Sequence, residues 1–271
     1  MPVLNLGREF PLKQFDTEIS PNDMMFDTSK HYVEVILSAL KLLDYAAGKG
    51  FTPAAGPRTI LDLPCGYGRV ARGLRSQFPD ADLTVCDIDR DAVDFCARKF
   101  KATGVYGTSD FERMEIGRSF DLIWVGSLVT HFSADQTIKF IRCMMRHLSE
   151  DGLLVFTTLA GTVHLPFTVL NKVQSGYRKN KILRKHFIRM IIDWKMKYNV
   201  LSNMHTQLRA VGYGYKDDPR FPGTGYGHSL ISRRWIEGFF AGEAYTMVDY
   251  VERGWDNYQD VIFVKKTKVD C

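Results

Sequence analysis

Apolar residues recur along this chain in two alternating rhythms. From about Ser29 to Ala47, Val33, Ile36, Leu37, Ala39, Leu40, Leu43 and Tyr45 fall at helical spacing, and Gly48 and Gly50 end the run. Residues 59–62 read as a short buried strand, followed by a glycine turn and a helix over about 69–77. Residues 83–86 form a second strand pattern, and Asp89 is placed to cap a helix carrying Val93, Phe95 and Cys96. Residues 105–107 are a weak third strand. Residues 121–125 and 153–157 are the most apolar strands, and between them Ser133 with Gln136 three residues on has capping-box spacing. Short β-branched strands alternating with helices predict a mostly parallel sheet with helices on both faces.

The rhythm breaks after Thr158. Residues 160–230 hold a long helical pattern and a glycine- and tyrosine-rich loop, and strand patterns return only at 246–251 and 261–265. The short segment 252–260 between those two fits a hairpin at the sheet edge. The expected organisation is an N-terminal arm and helix over 1–54, a core over 55–160, a lid insertion over 161–230, and a helix and hairpin over 231–271 that complete the core. At 271 residues, with 45% hydrophobic and 25% charged positions, the composition is that of an ordinary globular chain. The N-terminal stretch lacks the basic and apolar regions of a secretory signal, and no run reaches the length of a membrane span. Cys65, Cys86, Cys96, Cys143 and Cys271 make neither a CxxC pair nor a zinc spacing. They fit reduced structural thiols, and a cytoplasmic location is expected.

Charge is uneven. Residues 172–197 contain nine Lys or Arg against the single acid Asp193, a local charge of +8 that leaves −3 for the rest of the total +5. Such a block suits an anionic neighbour, whether an acidic acceptor, a membrane surface or nucleic acid. A solvated helix face is the equal alternative. Leu183, Phe187, Met190, Ile191, Trp194, Tyr198 and Leu201 form an apolar stripe in the same region, which suits packing or a membrane-surface helix.

The chemically informative stretch runs from Thr59 to Ala71. A strand ends in Asp62, turns through Gly66 and Gly68, and enters a helix whose N-terminus offers donors and partial positive charge. Nineteen residues after Gly68 stands Asp87, at the end of the second strand, where an acid reaches ribose hydroxyls. Gly66, Gly68 and Ala71 also satisfy the GxGxxA dinucleotide pattern, so a nicotinamide-dependent oxidoreductase is an alternative. Asp62 opposes it, because a carboxylate at the turn suits a cationic ligand group better than a pyrophosphate. The C-terminal hairpin pattern also differs from a second nucleotide-binding half.

Asp62-Leu-Pro-Cys-Gly-Tyr-Gly resembles the first motif of class I, Rossmann-like S-adenosylmethionine-dependent methyltransferases, with Pro64 where that family commonly has its first glycine. Residues 120–132 resemble the family's fourth-strand motif and residues 148–158 its fifth. The resemblance implies a Rossmann-like, mostly parallel seven-stranded sheet and S-adenosylmethionine as cofactor. It implies that Asp62, Pro64, Gly66 and Gly68 surround the methionine end, with Asp87 on the ribose, Ile88 beside the adenine, and Asp110 and Phe111 near the adenine amino group. Gly126 and Ser127 end the fourth strand at the carboxyl edge, where ligands of such sheets bind. Tyr32 is a further candidate for closing over the cofactor, with packing as the alternative.

Methyl transfer is a displacement at carbon that needs alignment, a base when the acceptor is a hydroxyl, and no metal. His131, in the loop after the fourth strand, is a candidate base, and His228 competes for that role from the lid. Tyr213, Tyr226, His228 and Trp255 are the expected acceptor contacts. The lid composition and Gly254-Trp-Asp-Asn-Tyr-Gln-Asp loosely resemble bacterial methyltransferases of sugar and polysaccharide modification, which implies a small-molecule or glycan hydroxyl acceptor. Nucleic acid fits poorly, because Gly126-Ser-Leu-Val stands where an Asn-Pro-Pro-Tyr motif would follow the fourth strand. A cofactor-binding regulator without turnover is a third alternative, opposed in the sequence by His131 and the lid.

Overall fold

The inner strands of the central sheet are buried on both faces, which is why they read as near-continuous apolar runs. The computed structural model describes residues 30–160 and 203–267. Helix α1 (Lys30–Gly48) precedes β1 (Thr59–Asp62), α2 (Arg69–Gln77), β2 (Asp82–Asp87), α3 (Arg90–Phe100), β3 (Thr103–Tyr106) and β4 (Phe120–Val125). A single 3-10 turn (Val129–His131) leads into α4 (Ala134–Arg146) and β5 (Leu148–Thr158). After a helical stretch over 203–211 come β6 (Tyr213–Asp217), β7 (Gly227–Ile231), α5 (Arg233–Phe240), β8 (Tyr245–Trp255) and β9 (Gln259–Lys266).

The main sheet has seven strands in the order β3-β2-β1-β4-β5-β9-β8. Strands β1 to β5 pair in parallel, and β9 enters antiparallel between β5 and β8. This is the expected α/β architecture with its antiparallel hairpin at one edge. One apolar layer packs α1, α2 and α3 on one face, with Leu40, Leu74, Trp124 and Phe263 fully buried. The other places α4 and α5 on the opposite face around Phe120, Ile123, Phe140 and Phe156. The chain reverses between β1 and β4, so the crevice at the carboxyl ends of these strands is the topological switch point where ligands of open α/β sheets bind.

Local capping agrees with the sequence. Asp89 accepts from the backbone N–H groups of Asp91 and Ala92 at the start of α3. Ser133 caps α4 by accepting from Gln136 N, but the reciprocal half of the capping box is absent. Ser133 N instead donates to Gly225 O, and Gln136 Nε2 reaches Thr224 O. Both bonds tie α4 to the loop between β6 and β7.

That loop marks the largest departure from the sequence reading. Much of the expected glycine- and tyrosine-rich loop is a separate antiparallel hairpin, β6–β7, with Tyr213 opposite Ile231 and Asp217 opposite Gly227. Gly227 makes it feasible, because a Cβ there would fall 2.1 Å from Lys216 O. The basic block 172–197 and the apolar stripe 183–201 lie outside the described residues, as does the side chain of Tyr32. Among the described residues no helix is long and apolar enough to cross a membrane, and no cluster of three His, Cys, Asp or Glu could hold a metal.

Candidate functional site

The carboxyl end of β1 is built around an acid with an unused oxygen. Asp62 is 1% exposed, and its Oδ2 has no hydrogen-bond partner among the described residues. Burial raises its pKa well above the ordinary carboxyl value and the charge of Asp87 raises it further, against an opposing hydrogen bond from the Ala71 backbone. A buried, half-satisfied carboxyl is costly unless something cationic or donating completes it.

The chain leaves Asp62 through a cis Leu63–Pro64 peptide. Cys65 N then donates to Cys86 O and Gly68 N to Cys65 O, closing the turn. Gly68 has φ +80, and a Cβ would sit 2.2 Å from the Phe100 ring, so only glycine lets the turn settle onto α3. At Gly66 a Cβ would meet nothing within 4 Å, so the turn faces open space on that side. Helix α2 starts at Arg69 after Gly68, which has no side chain to cap it, and of its first-turn donors the Ala71 N–H is taken by Asp62.

Asp87 belongs to this same unit. Its Oδ2 accepts from Gly66 N at 2.8 Å and its Oδ1 from Asp89 N at 3.0 Å, while Ile88 beside it is 70% exposed. Cys65, Cys86 and Cys96 are buried free thiols. The Cys65 thiol is pushed far up by its hydrogen bond with Cys96 and by burial, which keeps it protonated and inert.

Of the two residues expected near the adenine amino group, Phe111 is withdrawn into the core and Asp110 stays at the surface. Phe111 is buried, its ring 5.2 Å from that of Phe132 and 5.0 Å from that of Phe140, so it belongs to the α4-side core. Asp110 is exposed and ion-paired with Arg113 at 3.8 Å. Apolar burial claimed the phenylalanine.

At the end of β4, Gly126 packs against Trp124 and Trp255, whose rings meet edge-on at 5.7 Å. Trp255 is 8% exposed and donates from Nε1 to Val35 O, so the expected acceptor contact is a core brace under the β4 edge. Ser127 follows with φ 58, a left-handed conformation that serine rarely adopts. It is held by Thr157 on β5 and Gln259 on β9, which lie inside stretches quoted above for their resemblance but were not singled out there, because their contacts to Ser127 are long-range.

Opposite this edge, the loop between β6 and β7 packs on the 3-10 turn. His131 is half-buried, with Nδ1 2.8 Å from Gly227 O. A carbonyl can only accept, so Nδ1 carries the hydrogen and Nε2 keeps its lone pair. Burial lowers the His131 pKa, and His228 acts in the same direction, against the Gly227 hydrogen bond and Asp218. The His131 ring lies nearly parallel to that of Tyr226, centroids 5.2 Å apart at 14°, and 5.6 Å from that of His228. Burial raises the Tyr226 pKa, opposed by the Arg220 charge and supported by Asp218 and Asp87. On the same loop, buried Asp218 pins exposed Arg220 in a two-pronged ion pair with contacts of 2.6 and 3.0 Å, and its pKa drops to about 2. Tyr213 does not join the group. It is 5% exposed, with its hydroxyl between Phe132 O at 2.8 Å and Thr137 Oγ1 at 2.7 Å, and it anchors the hairpin to α4.

Comparison with known proteins agrees with this geometry. Residues 60–152 match the family model described as a methyltransferase domain. Over 125 residues the chain is 27% identical to a malonyl-[acyl-carrier protein] O-methyltransferase of Acetivibrio thermocellus, covering 45% of this chain and 42% of that protein. It is 32% identical over 127 residues to ribosomal RNA small subunit methyltransferase C of Salmonella choleraesuis, covering 44% of this chain and 36% of that one. The chain thus spans less than half the length of these two relatives. An S-adenosylmethionine-dependent methyltransferase from Clostridium acetobutylicum shares the fold with a TM-score of 0.51 and 14% identity, over 88% of this chain and 92% of that one.

Proposed function

We propose that this protein transfers a methyl group from S-adenosylmethionine to an oxygen atom of an acceptor. The observation that carries the reading is Asp62: a buried carboxyl with a partnerless oxygen beneath a glycine turn that opens to space. That arrangement suits a cationic amine and disfavours a pyrophosphate, which argues against the nicotinamide alternative. Asp62, Gly66 and Gly68 would hold the methionine end, and Asp87 the ribose. When bound, the sulfonium supplies an electrophilic methyl carbon.

For a hydroxyl acceptor, His131 would remove the proton. Its hydrogen bond to Gly227 O leaves Nε2 as the basic nitrogen, and its lowered pKa keeps the ring neutral at physiological pH. Tyr226 and His228 flank it, with Arg220 at the rim of the same loop. The O-methyltransferase name of the Acetivibrio thermocellus relative supports an oxygen acceptor. A glycan hydroxyl falls in the same chemical class, but Trp255, in the stretch that suggested glycans, is buried in the core. A small molecule is therefore the preferred acceptor, and the ribosomal RNA relative makes RNA the competing one. The test is calorimetry with S-adenosylhomocysteine and with NAD. Binding of the first and not the second is expected, and the reverse would overturn the reading.

A further inference from the structure

Three side chains from three strands close a ring of hydrogen bonds at the β4 edge. Ser127 N donates to Thr157 Oγ1 at 2.8 Å. Thr157 Oγ1 donates to Gln259 Oε1 at 2.6 Å, and Gln259 Nε2 donates to Ser127 Oγ at 2.9 Å. The direction of the ring follows from burial. Thr157 is fully buried, so its hydroxyl hydrogen must be spent inside the protein, and only the amide oxygen of Gln259 accepts it. The amide nitrogen must then face Ser127, whose oxygen is occupied as an acceptor. The Ser127 hydroxyl hydrogen is left over, and no described residue accepts it.

The cost of this arrangement is visible in the backbone. Ser127 sits at φ 58, where a non-glycine residue is strained, and such strain concentrates at functional sites. Its place is the carboxyl end of β4, beside β1, with Leu63 N bonded to Trp124 O and Asp62 in register with Trp124.

We infer that Gln259, on the C-terminal hairpin, is a positioning residue that holds Ser127 as a hydrogen-bond donor to the carboxylate of the cofactor's methionine end. The inference rests on the proposed use of S-adenosylmethionine. An amino-acid end carries an ammonium and a carboxylate on one carbon. Beside an ammonium the Asp62 carboxyl would give up its proton and accept, so the carboxylate requires donors from the same edge. The Ser127 hydroxyl, with its lone-pair side capped by Gln259, is one.

The test is calorimetry of the full chain with two probes, S-adenosylhomocysteine and 5′-methylthioadenosine, which lacks the amino-acid end. Gln259→Glu keeps the size of the side chain but turns the donor toward Ser127 into an acceptor, so it consumes the hydroxyl hydrogen. It should raise the Kd for S-adenosylhomocysteine on the order of tenfold or more at pH 8 and leave that for 5′-methylthioadenosine within about twofold. Ser127→Gly separates binding from folding: glycine relieves the left-handed strain, so Tm should hold or rise while S-adenosylhomocysteine binding weakens. Equal weakening for both probes, or unchanged binding in both variants, would overturn the inference while the cofactor reading stands. A wild-type protein that binds neither probe would overturn both.

Discussion

The imidazole of His131 is tied to the carbonyl of Gly227 at 2.8 Å, a bond between the turn after β4 and a hairpin 96 positions further along the chain. In the proposed function the sheet edge and the β6–β7 hairpin make the acceptor side jointly. If His131 is the base for a hydroxyl acceptor, His131→Gln should lower kcat by roughly 10²–10⁴-fold with cofactor affinity near wild type. The rate should rise with pH through an ionisation below the ordinary histidine value, since burial disfavours the imidazolium. The same profile on His228→Ala checks the assignment. Loss confined to that variant would move the role to the hairpin.

Asp87 serves the turn and, in the proposed function, the ribose as well. Asp87→Ala removes the acceptor for Gly66 N as well as the charged partner for ribose hydroxyls. S-adenosylhomocysteine should bind weaker by about 1.5–3 kcal/mol, tenfold or more. Isothermal titration at constant salt measures it, and wild-type affinity in the variant would remove Asp87 from the ribose.

Asp62 makes stability depend on pH in a defined direction. Its folded pKa is raised, so the folded state binds the proton more tightly than the unfolded chain, whose carboxyl titrates near 3.9. The stability associated with this site is fully present below about pH 3.9 and is lost as pH rises through the folded value. Asp62→Asn resembles the protonated form and removes that slope. Without ligand, its Tm should exceed that of wild type by a margin that grows with pH, while its affinity for S-adenosylhomocysteine falls. Thermal melts from pH 5 to 8 give the comparison, and parallel curves would refute the burial argument.

Tyr213→Phe tests the placement of that tyrosine in the core. The variant leaves the buried carbonyl of Phe132 and the hydroxyl of Thr137 without their shared partner, which costs about 1–3 kcal/mol. Denaturant unfolding should register this loss, with acceptor KM unchanged in the remaining folded enzyme. A raised KM at full stability would return Tyr213 to the acceptor wall.

The alternation of β1 to β5 with their helices, the Asp89 and Ser133 caps, and the Asp62–Gly68 turn with Asp87 beyond it were all legible along the chain. Each is governed by neighbours within a few residues, or by a strand's need to be apolar on both faces. Local spacing could not decide which aromatic residues would be spent on packing. Phe111, Tyr213 and Trp255 looked available for ligands, and the tertiary structure buried all three, because large rings gain most from leaving water. Nor could sequence spacing bring Gln259 to Ser127 across 132 positions, or Gly227 to His131 across 96. Those contacts exist because β9 inserts beside β5 and the β6–β7 hairpin folds back over α4. The sequence by itself determined the sheet and the cofactor turn, whose constraints are local. Only the tertiary structure decided which side chains are spent in the core and which remain at the carboxyl edge of the sheet, since burial and long-range pairing are settled by packing the whole chain.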